Sequence, residues 1–235
     1  MDQLSPIRDH ADRLPSTDAW RRLPASSQRA LDAICIPLRA HRGDSPTDDV
    51  VIVRSGAFGT LRETADGRRS LTCLALPGDF LDFRRRERQR QGRLLTLAEG
   101  VLLVPDVPAL DALCQRDVAI TTLLFDLMRE AFTRARDHCT DIAIKTPLER
   151  LAAALLECRR RLHNPPLDQF ALPLRRGDLA EYLGLKAETV SRGFRTLREE
   201  GFIAPESAGR ISILNLPGLR QLANGGRPRR STRPF

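Results

Sequence analysis

The sequence predicts an α+β chain in which a roll of short strands, one long amphipathic helix and a C-terminal winged helix-turn-helix follow one another. Three observations carry that prediction. Short apolar runs separated by Gly, Pro and Asp turn signals recur through the first half of the chain. At residue 118 the hydrophobic pattern takes on the helical period and keeps it to about residue 144. A short helix, a Gly-containing turn and a second amphipathic helix then fill residues 178–200. With 235 residues, 41% of them hydrophobic, the chain has apolar material for one large domain or two ordinary ones and is not a disordered polymer.

Residues 1–20 are polar and punctuated by proline, which predicts a loose lead-in. Residues 21–117 read as β-rich. Val50-Val51-Ile52-Val53 is a buried-type strand ending at a Ser-Gly turn on Gly56, and extended character resumes at Phe58 and Leu61. Asp66-Gly67 marks a hairpin, 71–76 a strand stopped by Pro77-Gly78-Asp79, and 94–97 and 101–104 two strands around Glu99-Gly100. Residues 118–146 form the long helix, with Ile120, Leu123, Leu124, Leu127, Met128, Ala131, Phe132 and Ala135 on its apolar stripe. A stripe that wide must be buried on its own β domain, on a second copy of the helix, or on both. Ile120, Leu124, Leu127, Met128 and Ala131 are assigned to a homodimer. Residues 147–222 hold a further helix at 148–161, an Asn164-Pro165-Pro166 connection and the helix-turn-helix; the tail 223–235 is basic and expected to be disordered.

The net charge of +8 and pI near 10.2 favour a polyanionic partner. Arg84-Arg85-Arg86, Arg88, Arg90 and Arg93 crowd one segment with Glu87 as its only acid, and such density is either solvated or meets an anion. The five cysteines, at 35, 73, 114, 139 and 158, are odd in number and widely spaced, so neither a disulfide framework nor a metal site is expected. Cys158 precedes Arg159-Arg160-Arg161, and neighbouring cations lower a thiol's pKa, so it is a candidate redox thiol beside the alternative of a buried, inert one. His10, His41, His138 and His163 form no ligand or catalytic spacing, and no nucleophile elbow or phosphate loop appears. No catalytic residue is assigned and no enzyme is expected. The absence of an apolar run near 18 residues argues against a membrane span, and the opening residues lack a signal-peptide core, so a cytoplasmic location is expected.

The candidate site lies in the last domain. On the second helix, 187–200, Val190, Phe194 and Leu197 share one face while Glu188, Ser191, Arg192 and Arg195 share the other. A carboxylate, a hydroxyl and planar guanidinium forks are the groups that read base edges in a major groove. Phe202-Ile203 and the alternating Arg210-Ile211-Ser212-Ile213-Leu214 predict a two-stranded wing, whose Arg210 can reach a phosphate. Double-stranded DNA is the expected partner. The alternative is a ligand-binding regulatory module whose C-terminal domain binds a protein, which would lack salt-sensitive duplex binding.

Leu179-Ala180-Glu181-Tyr182-Leu183-Gly184-Leu185, followed by Glu188-Thr189-Val190-Ser191-Arg192, resembles the helix-turn-helix signature of the Crp/Fnr superfamily in its Fnr/FixK-like version. The resemblance implies Glu188, Ser191 and Arg192 as the base-reading triplet on an inverted repeat of TTGAT-like half-sites. Arg175, Lys186, Thr189, Arg195 and Arg210 are then expected on or beside the DNA backbone, and RNA polymerase as a partner if the protein activates. Gly43, the segment 50–56, Asp66-Gly67-Arg68-Arg69 and Leu76-Pro77-Gly78-Asp79-Phe80 resemble landmarks of a cyclic-nucleotide-binding-type β-roll. The long helix stands where such regulators dimerise. Two departures bear on cofactors. Asp79 replaces the Glu of a cyclic-AMP binder, and Gly92-Arg93-Leu94-Leu95-Thr96 lacks its Arg-Ser pair. No cysteine precedes Cys35, where oxygen-sensing members carry an iron–sulfur cluster. Neither cyclic AMP nor an iron–sulfur cluster is therefore expected, and any other effector is left open.

Overall fold

The computed structural model describes residues 14–15, 17–46, 49–84, 92–162, 169–204 and 209–226. They fall into two compact units, Met1–Arg136 and Asp137–Phe235, which divide inside the long helix. Residues 1–13 of the expected loose lead-in, most of the arginine run (85–91), the Asn164-Pro165-Pro166 connection and the tail from 227 onward lie outside the described residues.

The first unit contains α1 (Asp18–Arg21), α2 (Ala25–Ile34), β1 (Cys35–Ala40), β2 (Val50–Glu63), β3 (Arg69–Ala75), β4 (Phe80–Asp82), β5 (Arg93–Pro105) and α3 (Val107–Arg116). It also holds the greater part of α4 (Val118–Ile144). The strands pair antiparallel in the order β1-β5-β2-β3, with β4 also on β2. The run Val50-Val51-Ile52-Val53 is continuously apolar because both faces of β2 are covered. Val50 and Ile52 point into a cluster with Trp20, Leu31, Phe80, Leu103, Leu110 and Ile120, whereas Val51 and Val53 point into another with Phe58, Phe83, Leu94 and Leu102.

The structure departs from three expectations. The segment 21–117 is not uniformly β: α2 and α3 bracket the strands. Asp106 caps α3 by accepting the Ala109 N–H at 2.9 Å, and Asp106-Val107-Pro108 was a readable start signal. The lead-in is not loose from Leu14 onward. Leu14 packs on the core, Trp20 is buried in it, and the Trp20 indole donates to the Gly78 carbonyl at 2.8 Å. Gly56 and Glu99-Gly100 do not reverse the chain. β2 and β5 run straight through them, with register shifts around Ser55 and Ala57. A Cβ on Gly56, at φ +85°, would sit 2.6 Å from the Glu99 carbonyl oxygen, and one on Gly100 would sit 2.2 Å from the Ser55 oxygen. These glycines let two backbones touch at a bulge.

The turn 76–79 ties this unit together. The Asp79 carboxylate accepts the Leu76 N–H at 2.9 Å and the Arg134 guanidinium of α4 at 2.8 Å, while the Gly78 N–H donates to Val53 at 2.8 Å. Asp117 caps α4 by accepting from Ala119 at 2.9 Å and takes the Ser27 hydroxyl of α2 at 2.6 Å; that hydroxyl bond holds its carboxyl below the usual range.

The second unit begins with the last turns of α4, followed by α5 (Pro147–Leu162), β6 (Gln169–Ala171), α6 (Arg176–Leu183), α7 (Ala187–Glu199), β7 (Arg210–Ser212) and α8 (Leu216–Ala223). Thr146 and Glu149 form a reciprocal capping box at the start of α5, with the Thr146 N–H donating to the Glu149 carboxylate at 2.9 Å. Leu151, Ala152, Leu155 and Cys158 of α5 are buried, and α5 packs with α6, α7, α8 and β6. The wing differs from its prediction: β7 pairs with β6, which is too short to announce itself, and Ile203 meets Ile213 in a single bridge. The helix α8, capped by Asn215 on the Gly218 N–H at 2.9 Å, fills residues read as the domain's end.

Because the clashes at Gly56 and Gly100 are with backbone, alanine at either position should destabilise the first unit by about 1–3 kcal/mol, the usual cost of overpacking. Urea unfolding of each variant, read by the Trp20 fluorescence, checks this.

Candidate nucleic-acid interface

The interface is built from α6, α7 and the wing. The Asp178 carboxylate accepts the Arg175 N–H at 2.7 Å and so closes the first turn of α6. Gly184, at φ +62°, turns the chain, and the Leu185 N–H donates back to the Ala180 carbonyl at 2.9 Å. Lys186 occupies the N-cap of α7 with no side-chain cap bond, as its place in the sequence implied. At the other end the Phe202 N–H reaches the Leu197 carbonyl at 2.9 Å and the Gly201 N–H reaches Arg198 at 3.0 Å, with Gly201 at φ +74°. That pair of bonds is a Schellman stop, sealed by the burial of Leu197 and Phe202.

Val190, Phe194 and Leu197 are all buried, which fixes the rotation of α7. The Arg176 guanidinium lies 3.1 Å over the Phe194 ring centre, covering the apolar face with a cation. Gly193 lets α7 sit close on α5: a Cβ there would come 2.8 Å from a Leu151 methyl. The opposite face carries Glu188, Ser191, Arg192 and Arg195, all exposed, with Lys186 exposed at its N-terminal edge. Thr189 is half-buried, and its hydroxyl accepts the Arg192 guanidinium at 3.4 Å. Arg175 and Arg210 are exposed, at the start of α6 and of β7. One acceptor, one hydroxyl and two guanidinium forks thus stand on one helical surface, the donor and acceptor set for base edges, with further cations for phosphates.

The long helix divides its stripe. Ile120, Leu124 and Leu127, expected at a dimer contact, are buried in the core of their own unit and are not open to a partner. Ala131 is half-buried. Met128 is 53% exposed and stands beside Phe125 at 66% and Phe132 at 69%. Phe125 was missed because periodicity gives the width of a stripe and not which edge the parent domain covers.

Cys158 is corrected as a redox candidate. It is 1% exposed, and burial pushes its thiol up to about 12, against a smaller opposing pull from Arg161. Adjacent cations in sequence leave a helix in other directions, so they do not outweigh desolvation. The exposed thiol is Cys139. Of the arginine run, Arg84 is held by Asp82 at 2.7 Å and Asp111 at 2.9 Å, and Arg93 is exposed at the start of β5. Among the described residues no group of three or more His, Cys, Asp or Glu is placed to hold a metal, and no helix is long and apolar enough to cross a membrane.

An antiparallel roll, a long helix and a winged helix-turn-helix with a cationic outer face define a DNA-binding transcription regulator. Residues 149–222 match the Crp-like helix-turn-helix domain. The chain is 30% identical to the nitrogen fixation regulation protein FixK of Azorhizobium caulinodans, over 76% of this chain and 73% of that one. It is 34% identical to FixK of Bradyrhizobium diazoefficiens, over 73% and 72%. The fold is similar to that of FixK2 from Bradyrhizobium japonicum, with a TM-score of 0.71 and 28% identity, covering 80% of this chain and 97% of that one. The chain belongs to the Crp/Fnr family of transcription regulators. That membership does not favour a C-terminal domain that binds protein instead of DNA.

Thiol labelling of the folded protein near pH 8 should modify Cys139 and spare Cys158, which should react only after unfolding. Mass mapping of the labelled peptides checks it.

Proposed function

We propose that the protein acts as a homodimer that reads an inverted repeat in duplex DNA. Glu188, Ser191 and Arg192 contact base edges, while Arg175, Lys186, Thr189, Arg195 and Arg210 lie on or beside the phosphate backbone. The observation that carries this reading is the opposition of faces on α7, with Val190, Phe194 and Leu197 buried and Glu188, Ser191 and Arg192 exposed. Two such helices one turn of DNA apart require a two-fold partner. The exposed Phe125, Met128 and Phe132 on α4 supply an apolar surface for it. The protein works in the cytoplasm, catalyses no reaction, and contacts RNA polymerase where it activates.

Its effector is neither cyclic AMP nor an iron–sulfur cluster. In support, the Asp79 carboxylate is already committed to the Leu76 N–H and to Arg134. The strand opening Arg93-Leu94-Leu95-Thr96 buries Leu94 and Thr96 and offers no Arg-Ser pair. Cys35, the first cysteine of the chain, is buried in the roll.

Arg192→Ala should lose about 1–3 kcal/mol on the specific site and relax the preference at one guanine. Lys186→Ala and Arg210→Ala should weaken all duplexes alike and reduce the salt slope by about one. Selection from random duplexes followed by salt titrations separates the two behaviours; uniform weakening by Arg192→Ala would make Arg192 a phosphate contact. A glutamate at Phe125 or Met128 should give folded monomers by sedimentation, whereas one at Leu124 should unfold the first unit.

A further inference from the structure

The last turns of α4 meet the first helix of the helix-turn-helix inside the second unit. His138 of α4 lies flat on Tyr182 of α6, with ring centres 4.0 Å apart and planes within 4°. The imidazole Nε2 is buried and has no hydrogen-bond partner. The other nitrogen, Nδ1, is therefore the one left to donate to the Tyr182 backbone carbonyl, which fixes the neutral tautomer with its proton on Nδ1.

The surroundings make this a junction of three helices. Asp141, one turn further along α4, pairs with Lys145 at 2.6 Å. From α5, Arg150 donates through Nε to the Lys145 carbonyl at 2.9 Å and through Nη1 to the Leu183 carbonyl at 3.2 Å. The groups facing His138 are thus Asp141 from its own helix, the Arg150 cation from α5, and the Tyr182 ring and carbonyl from α6. Tyr182 stands two residues before Gly184, the turn into α7.

We infer that the His138–Tyr182 stack is the joint that fixes the helix-turn-helix to the end of the long helix, and that it holds only with a neutral imidazole, so that mild acid loosens it and weakens specific DNA binding. A second proton must go to Nε2, into a buried position with no acceptor and near the Arg150 cation. Burial, reinforced by Arg150, pushes His138 below its ordinary 6.5; the Tyr182 carbonyl and Asp141 oppose this with smaller effect. The sign follows. The unfolded chain takes up the proton first as pH falls, so the stack's contribution is complete above 6.5 and is lost as pH falls through the lower folded value. The effect on DNA binding rests on the DNA reading above, but the joint itself does not.

Tyr182 is the single tyrosine of the chain, which gives an unambiguous reporter. NMR of the full-length protein with labelled tyrosine should show the Tyr182 ring signals moving in one titration below pH 6.5, and that titration should be absent from His138→Phe, which keeps a flat ring without a proton site. In fluorescence anisotropy on a selected inverted-repeat duplex, the unmodified protein should lose affinity that His138→Phe keeps between pH 7.5 and 5.5, by up to about tenfold because 5.5 lies one pH unit below the ordinary imidazole value of 6.5. His138→Ala should bind weakly at both. His138→Gln, a second uncharged variant, should match His138→Phe in its flat pH response and guards against a folding defect in either. A Tyr182 signal indifferent to pH, or unmodified protein and His138→Phe following the same binding curve, overturns the inference. Failure of every form to bind any duplex at any pH would count against the DNA reading, while the Tyr182 titration, which needs no DNA, would still decide the joint.

Discussion

An amphipathic helix has one rotation at which its apolar side chains all find cover, and in α7 that rotation is set by Val190, Phe194 and Leu197. The polar face is a consequence of it. Once those three are inside, residues 188, 191, 192 and 195 have no choice but to face outward together. The far end serves the same constraint, since the Schellman stop at Gly201 fixes where the helix ends, whereas Lys186 gives its start no side-chain cap. What this chain presents to DNA is decided by which of its residues it hides.

Long periodic elements were legible in the sequence and short or covered ones were not. The period of α4 and α7 holds over many residues, so their ends were readable to within a residue or two. β6 and β7 are three residues each, below any length at which alternation can be seen. The strands β2 and β5 were each cut in two because Gly56 and Gly100 carry the same composition signal whether a chain turns or two backbones touch. The outward face of α7 could be named in advance because one helix contains both the buried set and the exposed set. The exposed edge of α4 could not, because the cover on Ile120, Leu124 and Leu127 comes from residues as distant as Trp20 and Leu103. Cys158 misled for a related reason: neighbours in sequence on a helix are not neighbours in space.

In the first unit the turn 76–79 concentrates what other folds spread over a loop. One carboxylate closes the turn through Leu76 and reaches α4 through Arg134, while the glycine beside it accepts the Trp20 indole. The helix is thereby fastened at its start to α2 by Asp117 and Ser27 and again, nearly five turns later, to the turn 76–79 by Arg134. Between these points its buried residues need only maintain contact, because the two polar ties already set the register.

The close seat of Gly193 against Leu151 makes those two positions a volume-matched pair. Bulk added at 193 with Leu151 left unchanged would press on that methyl and work to lift α7 from α5, whereas bulk removed at 151 in step would relieve the pressure. Neither change touches an outward side chain of α7; they act only on the seam beneath it. In a helix of this build the depth of the seat and the chemistry of the outer face are set by different residues, so each can change while the other stays the same.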